Sequence, residues 1–439
     1  MKHGGGEEHC GGTQTARSGV RRAGTCDRME GGGVFGWLFG DSGGDAASRT
    51  TAAGWFASFG AEGSGASGED AAGQGLFASF VDSFSASLVN GGVPQTPDES
   101  TTSEPPAFVP PAKRLIAIGD IHGDYEKAVG AFKVAGLIDE RLNWIGGRTV
   151  AVQVGDILDR GSGELEVYFL LERLKKQADK AGGKLYVLNG NHEIMNVQGR
   201  FRYAAPGGMK QFRRWEQIER FASKLKCGCA QNRELCESKI PELSKSDDEA
   251  RQRAFGPGGG ASVRFLAPNP VALAVGSTLF AHGGLHPNHI DYGMDRMNRE
   301  ASEWIRGEGG KQCPWFLHGR NSVVWSRMYS IPDESMCKCE LLQTALDQLP
   351  GSQRMVVGHT IQHPFGINGA CDDSVFRVDV GMSSGCSDAA PEVLEIIDDR
   401  IVKRLRGRLN TQVLVDPAKA AAKYRENAKR VEQEGAQRS

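Results

Sequence analysis

Three short motifs spread over 75 residues gather the side chains best suited to chemistry in this 439-residue chain: Gly119-Asp-Ile-His-Gly123, Gly155-Asp-Ile-Leu-Asp-Arg-Gly161 and Gly190-Asn-His-Glu193. They contribute Asp120, His122, Asp156, Asn191 and His192. Carboxylate, imidazole and amide oxygen together make a donor set that fits a pair of divalent cations. A single Gly-Asp-x-His-Gly match carries little weight, because Gly, Asp and Asn also build ordinary turns. Three such motifs in this order, about 35 residues apart, point to a site rather than to turns. Two later histidines extend the set: His282 precedes Gly283-Gly284, and His359 lies in Val-Gly-His-Thr.

Each motif follows an apolar run that stops at a turn: Leu115–Ile118, Val150–Val154 and Leu185–Leu188. Such runs predict buried strands, and helical spacing over Tyr125–Ala135 and Glu164–Ala178 places a helix between successive strands. The resulting βαβαβ unit puts its ligands at the carboxyl ends of the strands. Later strands are predicted at Val271–Val275, Thr278–Ala281, Met355–Val357, Val375–Val380, Val393–Ile397 and Ile401–Leu405. His282 and His359 then fall at strand exits as well. Parallel units first and hairpin-linked strands later predict an α/β domain over residues 113–410, a two-sheet mixed β-sandwich flanked by helices. Residues 194–270 read as a polar helical insert, with Trp215, Ile218, Phe221 and Leu225 at helical intervals. This insert is expected to overhang the site.

The flanks differ in character. Residues 1–112 are rich in Gly, Ser and Ala and end in a Pro-rich connector, a composition too poor in apolar surface to offset the entropy of ordering. Aromatic clusters at Phe35–Phe39, Trp55–Phe59 and Phe77–Phe84 interrupt the arm. They leave two readings open, a loose linker or short docking elements for a partner. Residues 411–439 are expected to form a charged helical tail.

With 52 basic and 54 acidic residues the net charge is −2, so no global attraction to nucleic acid or to a membrane surface is expected. No apolar stretch is long enough for a transmembrane helix, and the first residues lack a secretory pattern. The expected location is cytoplasmic or organellar, with chloroplast and mitochondrion both open. Arg17, Arg21 and Arg22 among Ser and Thr favour a targeting peptide, while Glu7, Glu8, Asp27 and Glu30 speak against one. The ten cysteines are too few for a disulfide scaffold. Cys227/Cys229 and Cys337/Cys339 form Cys-x-Cys pairs without zinc-finger spacing. Reduced thiols, disulfides closing the insert onto the 313–339 region, and a Cys371–Cys386 pair all stay open.

The order of the five motifs resembles the metallo-dependent phosphoprotein phosphatases of the calcineurin-like phosphoesterase superfamily, over about residues 113–405. Further wording is similar to the Shewanella-like protein phosphatases: Asn191–Val197 with Phe201-Arg-Tyr203, His286-Pro-Asn-His289, Met297-Asn-Arg-Glu300 with Ser302-Glu-Trp304, and Val324–Ser330. Carried over residue by residue, the resemblance implies that Asp120 and His122 hold a first metal, that Asp156 bridges, and that Asn191, His282 and His359 hold a second. Manganese is the expected metal, with iron or zinc as alternatives. Two such ions lower the pKa of a water between them and so provide a hydroxide for in-line attack on phosphorus. The resemblance further makes His192 the acid that protonates the leaving group, Asp159 its orienting partner, and Arg160 and Arg327 the phosphate clamps. For the second clamp, Arg200, Arg202 and Arg320 are alternatives in nearby loops.

The implied substrate is a phosphoprotein carrying phosphoserine or phosphothreonine. Phosphotyrosine specificity and diadenosine tetraphosphate hydrolysis are the enzymatic rivals, since neither is excluded by the motifs. A phosphodiesterase or nuclease fits Arg160 and Glu193 less well. A non-catalytic scaffold would show damaged ligand positions, and none is damaged. One departure from the eukaryotic phosphatases is plain: their Ser-Ala-Pro-Asn-Tyr segment is replaced by Val380-Gly-Met-Ser-Ser-Gly385. The change implies weak binding of the inhibitory toxins that contact that segment, and a differently shaped groove.

Overall fold

The computed structural model describes residues 104–415 apart from 229–231, 311 and 408–409, together with residue 418. In chain order the first half contains β1 (Phe108–Val109), β2 (Arg114–Ile118), α1 (Tyr125–Val134), β3 (Val150–Gln153), α2 (Glu164–Lys180), β4 (Lys184–Val187) and α3 (Asn191–Val197). The helical insert follows as α4 (Pro206–Gly228), α5 (Arg233–Glu237) and α6 (Asp247–Phe255). The second half contains β5 (Ala272–Val275), β6 (Thr278–Ala281), α7 (Pro287–Tyr292), α8 (Met294–Ile305), α9 (Cys339–Asp347), β7 (Arg354–Val357), β8 (Asn368–Ala370), β9 (Val375–Arg377), β10 (Glu392–Ile397), β11 (Ile401–Arg406) and β12 (Asn410–Val413).

Two six-stranded mixed sheets result, ordered β12-β11-β10-β2-β3-β4 and β1-β5-β6-β7-β9-β8. Within each, three neighbouring strands run parallel, β2, β3 and β4 in one and β6, β7 and β9 in the other. Leu115–Ile118 and Val150–Gln153 are buried throughout, which explains why they read as unbroken apolar runs rather than alternating ones. Helix α1 starts where Asp124 accepts from the Lys127 amide, and it buries Ala128, Val129, Ala131 and Phe132. Among the described residues, no helix is long and apolar enough to cross a membrane.

The expected α/β two-sheet architecture is the observed one, with corrections at its margins. Phe108 and Val109 pair in parallel with β5, so the sheet recruits residues that composition assigned to the arm. Asn410–Val413 extends the other sheet as an antiparallel strand, although residues from 411 onward were expected to be helical. Both edges are short and polar or Pro-flanked, and they gain order only from a neighbouring strand. The strand expected to reach Val380 stops at Arg377, where the chain turns toward the site. In the insert, Trp215 is buried but Phe221 is 41% exposed; Phe212 and Phe255 fill the core instead, ring against ring at 4.6 Å. The aromatic clusters of the arm, read as a loose linker or as docking elements, and the rest of the tail expected to be helical lie outside the described residues.

Cysteine pairing also differs from expectation. Cys227 bonds to Cys236 within the insert, and Cys339 bonds to Cys371. No bridge joins the insert to the 313–339 region among the described residues, and Cys386 is free rather than paired with Cys371. The two loops span 9 and 32 residues. Loop-closure entropy therefore ranks them, and paired Cys→Ser substitution at Cys339 and Cys371 should cost about 1 kcal/mol more than at Cys227 and Cys236. Urea midpoints of the two variants check that order.

Candidate metal centre and active site

The six parallel strands converge on one place. The turns after β2, β3 and β4 carry Asp120, Asp156 and Asn191, and those after β6, β7 and β9 carry His282, His359 and Asp379. The sheets meet there closely. A Cβ on Gly358 would sit 2.4 Å from a carboxylate oxygen of Asp120, and one on Gly190 would sit 2.2 Å from Asp156 Oδ1. Only glycine admits that approach. His122, Asp156, Asp159, Arg160 and His359 all hold positive φ between 48° and 68°, a conformation that costs non-glycine residues energy and collects at functional sites.

Hydrogen bonds fix these turns. Glu193, the last residue of Gly-Asn-His-Glu, accepts from the amides of Gly190 and Asp156 through one oxygen, and from Ile157 and Leu158 through the other, at 2.7–3.0 Å. It thereby ties the second motif to the third. His122 Nδ1 lies 3.0 Å from the Leu158 carbonyl and His282 Nδ1 lies 3.0 Å from the Val154 carbonyl. A carbonyl can only accept, so both imidazoles donate from Nδ1 and turn Nε2 inward.

Those nitrogens face oxygen acceptors. Asp156 Oδ2 is 3.2 Å from His282 Nε2 and 3.8 Å from the Nε2 atoms of both His122 and His192. His282 Nε2 is also 2.9 Å from Asn191 Oδ1. Two buried groups with ligand atoms in cation-binding proximity result, His122–Asp156–His192 and Asp156–His282–His359, and Asp156 belongs to both. His359 Nε2 is buried with no hydrogen-bond partner. Inward-facing acceptors and an orphaned imidazole nitrogen are what divalent cations would satisfy.

The electrostatics agree. Burial opposes ionisation of Asp156, yet the imidazoles of His282 and His192 hold its carboxyl well below the usual range. Burial, together with Asp379 and Asp156, raises Asp120 well above it. Burial pushes Asp379 up to about 6. Burial lowers His122 to about 4 and keeps His359 well below the usual imidazole value, so both stay in the neutral form that ligates.

On the flank of this cluster, His192 Nδ1 meets Asp159 Oδ2 at 2.6 Å. Burial disfavours protonation of His192, but Asp156 and the bond to Asp159 outweigh it, and its pKa is raised. Its Nε2 faces Asp156 Oδ2 at 3.8 Å. Arg160 is exposed, its amide bonded to the Tyr203 carbonyl and its guanidinium 5.5 Å from the Tyr203 ring. Arg327 donates to the His359 carbonyl at 2.8 Å and to Thr360 Oγ1 at 2.9 Å, which sets it beside the second group. Of its alternatives, Arg202 stacks over Tyr203 at 4.7 Å, Arg200 lines an open cavity of about 480 Å³ with Gln198 and His318, and Arg320 is exposed. Neither Asp379 nor Tyr203 was picked out from sequence as a site residue. Asp379 was detectable by the same signal as the others, an acid in Val-Asp-Val-Gly at a strand exit.

Residues 113–362 match the calcineurin-like phosphoesterase family. The chain is 44% identical over 339 residues to Shewanella-like protein phosphatase 2 of Arabidopsis thaliana, covering 75% of this chain and 86% of that protein. It is 29% identical over 304 residues to Shewanella-like protein phosphatase 1 of Plasmodium berghei, covering 67% and 74%. Among solved structures, the cold-active protein-tyrosine phosphatase of a psychrophilic Shewanella species is similar at a TM-score of 0.52 and 21% identity, over 74% of this chain and 88% of that one. At that identity the likeness speaks for the fold.

Proposed function

From the membership of this chain in the Shewanella-like protein phosphatases, a branch of the calcineurin-like phosphoesterases, we propose how its residues divide the work of a metal-dependent protein phosphatase. The observation that carries the assignment is Asp156, whose Oδ2 is shared by two buried groups of ligand atoms while the His192–Asp159 pair lies at their edge. Asp120 and His122 would hold one divalent cation, Asn191, His282 and His359 the other, and Asp156 both. Manganese suits this mixed oxygen and imidazole set, and iron or zinc would also fit. When bound, such cations supply Lewis acidity that makes a water nucleophilic at neutral pH.

The chain's own groups do the rest. Arg160, and Arg327 anchored beside His359, would grip phosphate oxygens with planar guanidinium forks. His192 delivers a proton from Nε2 to the departing serine or threonine oxygen, and Asp159 holds the ring through Nδ1. The substrate is a phosphoprotein carrying phosphoserine or phosphothreonine. The insert and the N-terminal arm would influence which phosphoprotein docks.

A panel of phosphopeptides matched in sequence and carrying Ser, Thr or Tyr tests this, assayed on the full chain with Mn²⁺ and again after chelation. Phosphate release from the Ser and Thr peptides, lost with chelator and restored by Mn²⁺, is the expected outcome. Preference for the Tyr peptide overturns the substrate assignment, and chelator-resistant turnover overturns the metal assignment.

A further inference from the structure

Among the described residues the largest fully buried side chain is a charged one, Arg251 of helix α6, within the insert. No ionic motif in the sequence marks it. Its guanidinium donates twice to Glu164, at 2.6 and 2.8 Å, and once to Asp159 Oδ1 at 3.0 Å; its Nε donates to Asn196 Oδ1 at 2.8 Å. The aromatic rings of Phe201, Phe212 and Phe255 pack around the guanidinium carbon at 4.9–5.6 Å. The whole group is shut off from solvent, with side chains of Arg251, Asp159 and Glu164 all at 0% exposure.

Every contact in this network leads to the histidine that faces the cluster. Asp159 Oδ1 accepts from Arg251 and, at 3.1 Å, from Asn196, which leaves Oδ2 alone to face His192 Nδ1. Asn196 also donates to the His192 carbonyl at 2.9 Å. Glu164 accepts the Asp159 amide at 2.6 Å, which helps to hold that residue at its positive φ of 68°. An aspartate on a strained turn can rotate about its side-chain bonds; one whose second oxygen is taken by two fixed donors cannot do so without breaking both.

We propose that Arg251 is a positioning residue for the phosphatase reaction. The helical insert reaches beneath the site and, through Arg251, locks the Asp159 carboxylate and so the aim of His192. The insert is on this view a structural part of the proton-delivery apparatus as well as a neighbour of the substrate groove. The inference rests on the role of His192 as the acid.

The test compares leaving groups. Full-chain wild type, Arg251→Lys and His192→Asn are assayed with Mn²⁺ on a phosphoserine peptide, whose alkoxide needs a proton to leave, and on nitrophenyl phosphate, whose phenolate needs it far less. Lysine keeps a positive charge against the buried acids but cannot span Glu164, Asp159 and Asn196 at once. Arg251→Lys should lower kcat on the phosphopeptide about tenfold, with a much smaller loss on nitrophenyl phosphate and little change in KM, in the same direction as His192→Asn but weaker. If Arg251→Lys does not fold, as judged by circular dichroism, Glu164→Gln with Arg251→Met removes the buried Arg251–Glu164 charge pair together and carries the same comparison. Equal losses on the two substrates, or none, in a folded variant overturn the positioning role while the His192 assignment stands. Absence of leaving-group selectivity in His192→Asn itself overturns both.

Discussion

Asp156→Asn abolishes phosphate release, with a loss of at least about 10³-fold that added Mn²⁺ does not repair. The expectation follows from what surrounds Oδ2. That atom faces His282 Nε2 at 3.2 Å and the Nε2 atoms of His122 and His192 at 3.8 Å each. Two of those imidazoles donate outward from Nδ1 to carbonyls, so what they present inward is Nε2. A carboxylate among them supplies the negative charge that two cations require, and no other acid belongs to both groups. Asparagine keeps the shape but supplies no charge, and either orientation of its amide leaves one half of the site with the wrong group. Since metal Lewis acidity is worth several kcal/mol at the transition state, and each 1.36 kcal/mol is a factor of ten, a loss of this size is the lower bound. Metal content by mass spectrometry of the purified variant should fall below two ions per chain. The fold itself should survive, because Oδ1, which accepts the His192 amide at 2.9 Å, has an equivalent in asparagine. Full activity, or two tightly bound ions, in the variant would reject the assigned centre.

Most of the residues gathered here are legible in the chain, and the reason is physical. A ligand at a strand exit sits beside a buried run on one side and an obligatory turn on the other, so Ile118-Gly-Asp120, Val154-Gly-Asp156 and Leu188-Asn-Gly-Asn191 each carry their own context. The first two of those strands have both faces covered, and their burial shows as uninterrupted apolar sequence. The edge strands β1 and β12 carry no such signal. Phe108–Val109 is two residues long between prolines, and Asn410–Val413 is exposed throughout, so only a neighbour in space gives either one its conformation.

Arg251 was illegible for a different reason. Its helix, Asp247–Phe255, is strongly polar, and an arginine on such a helix normally faces water. What turns it inward is a pair of acids, Asp159 and Glu164, that lie some ninety residues away in the chain and on another element. Cysteine pairing failed similarly, since nothing in the spacing of Cys339 and Cys371 distinguishes that partner from Cys386. Local periodicity records burial against an element's own neighbours; it does not record which distant charge compensates a buried one.

His192→Asn should slow hydrolysis of a phosphoserine peptide by about 10²–10⁴-fold, the usual worth of a positioned general acid, while nitrophenyl phosphate turnover falls far less. The competing role is visible in the same geometry. His192 Nε2 lies as close to Asp156 Oδ2 as His122 Nε2 does, and a histidine there could be a ligand. Second contacts separate the two. His122 gives its Nδ1 to a neutral carbonyl, the arrangement of a ligating imidazole, and burial lowers its pKa to about 4. His192 gives its Nδ1 to a carboxylate at 2.6 Å, and its pKa is raised despite burial. A ring held toward protonation is suited to giving a proton away; one held neutral is suited to ligation. If His192 is the acid, the asparagine variant keeps both ions, and its loss depends on the leaving group. If it is a ligand, one ion is lost and both substrates slow alike. Measuring metal content beside the two rates decides between them, because no single role gives a full complement of metal with equal losses, or a missing ion with a selective one.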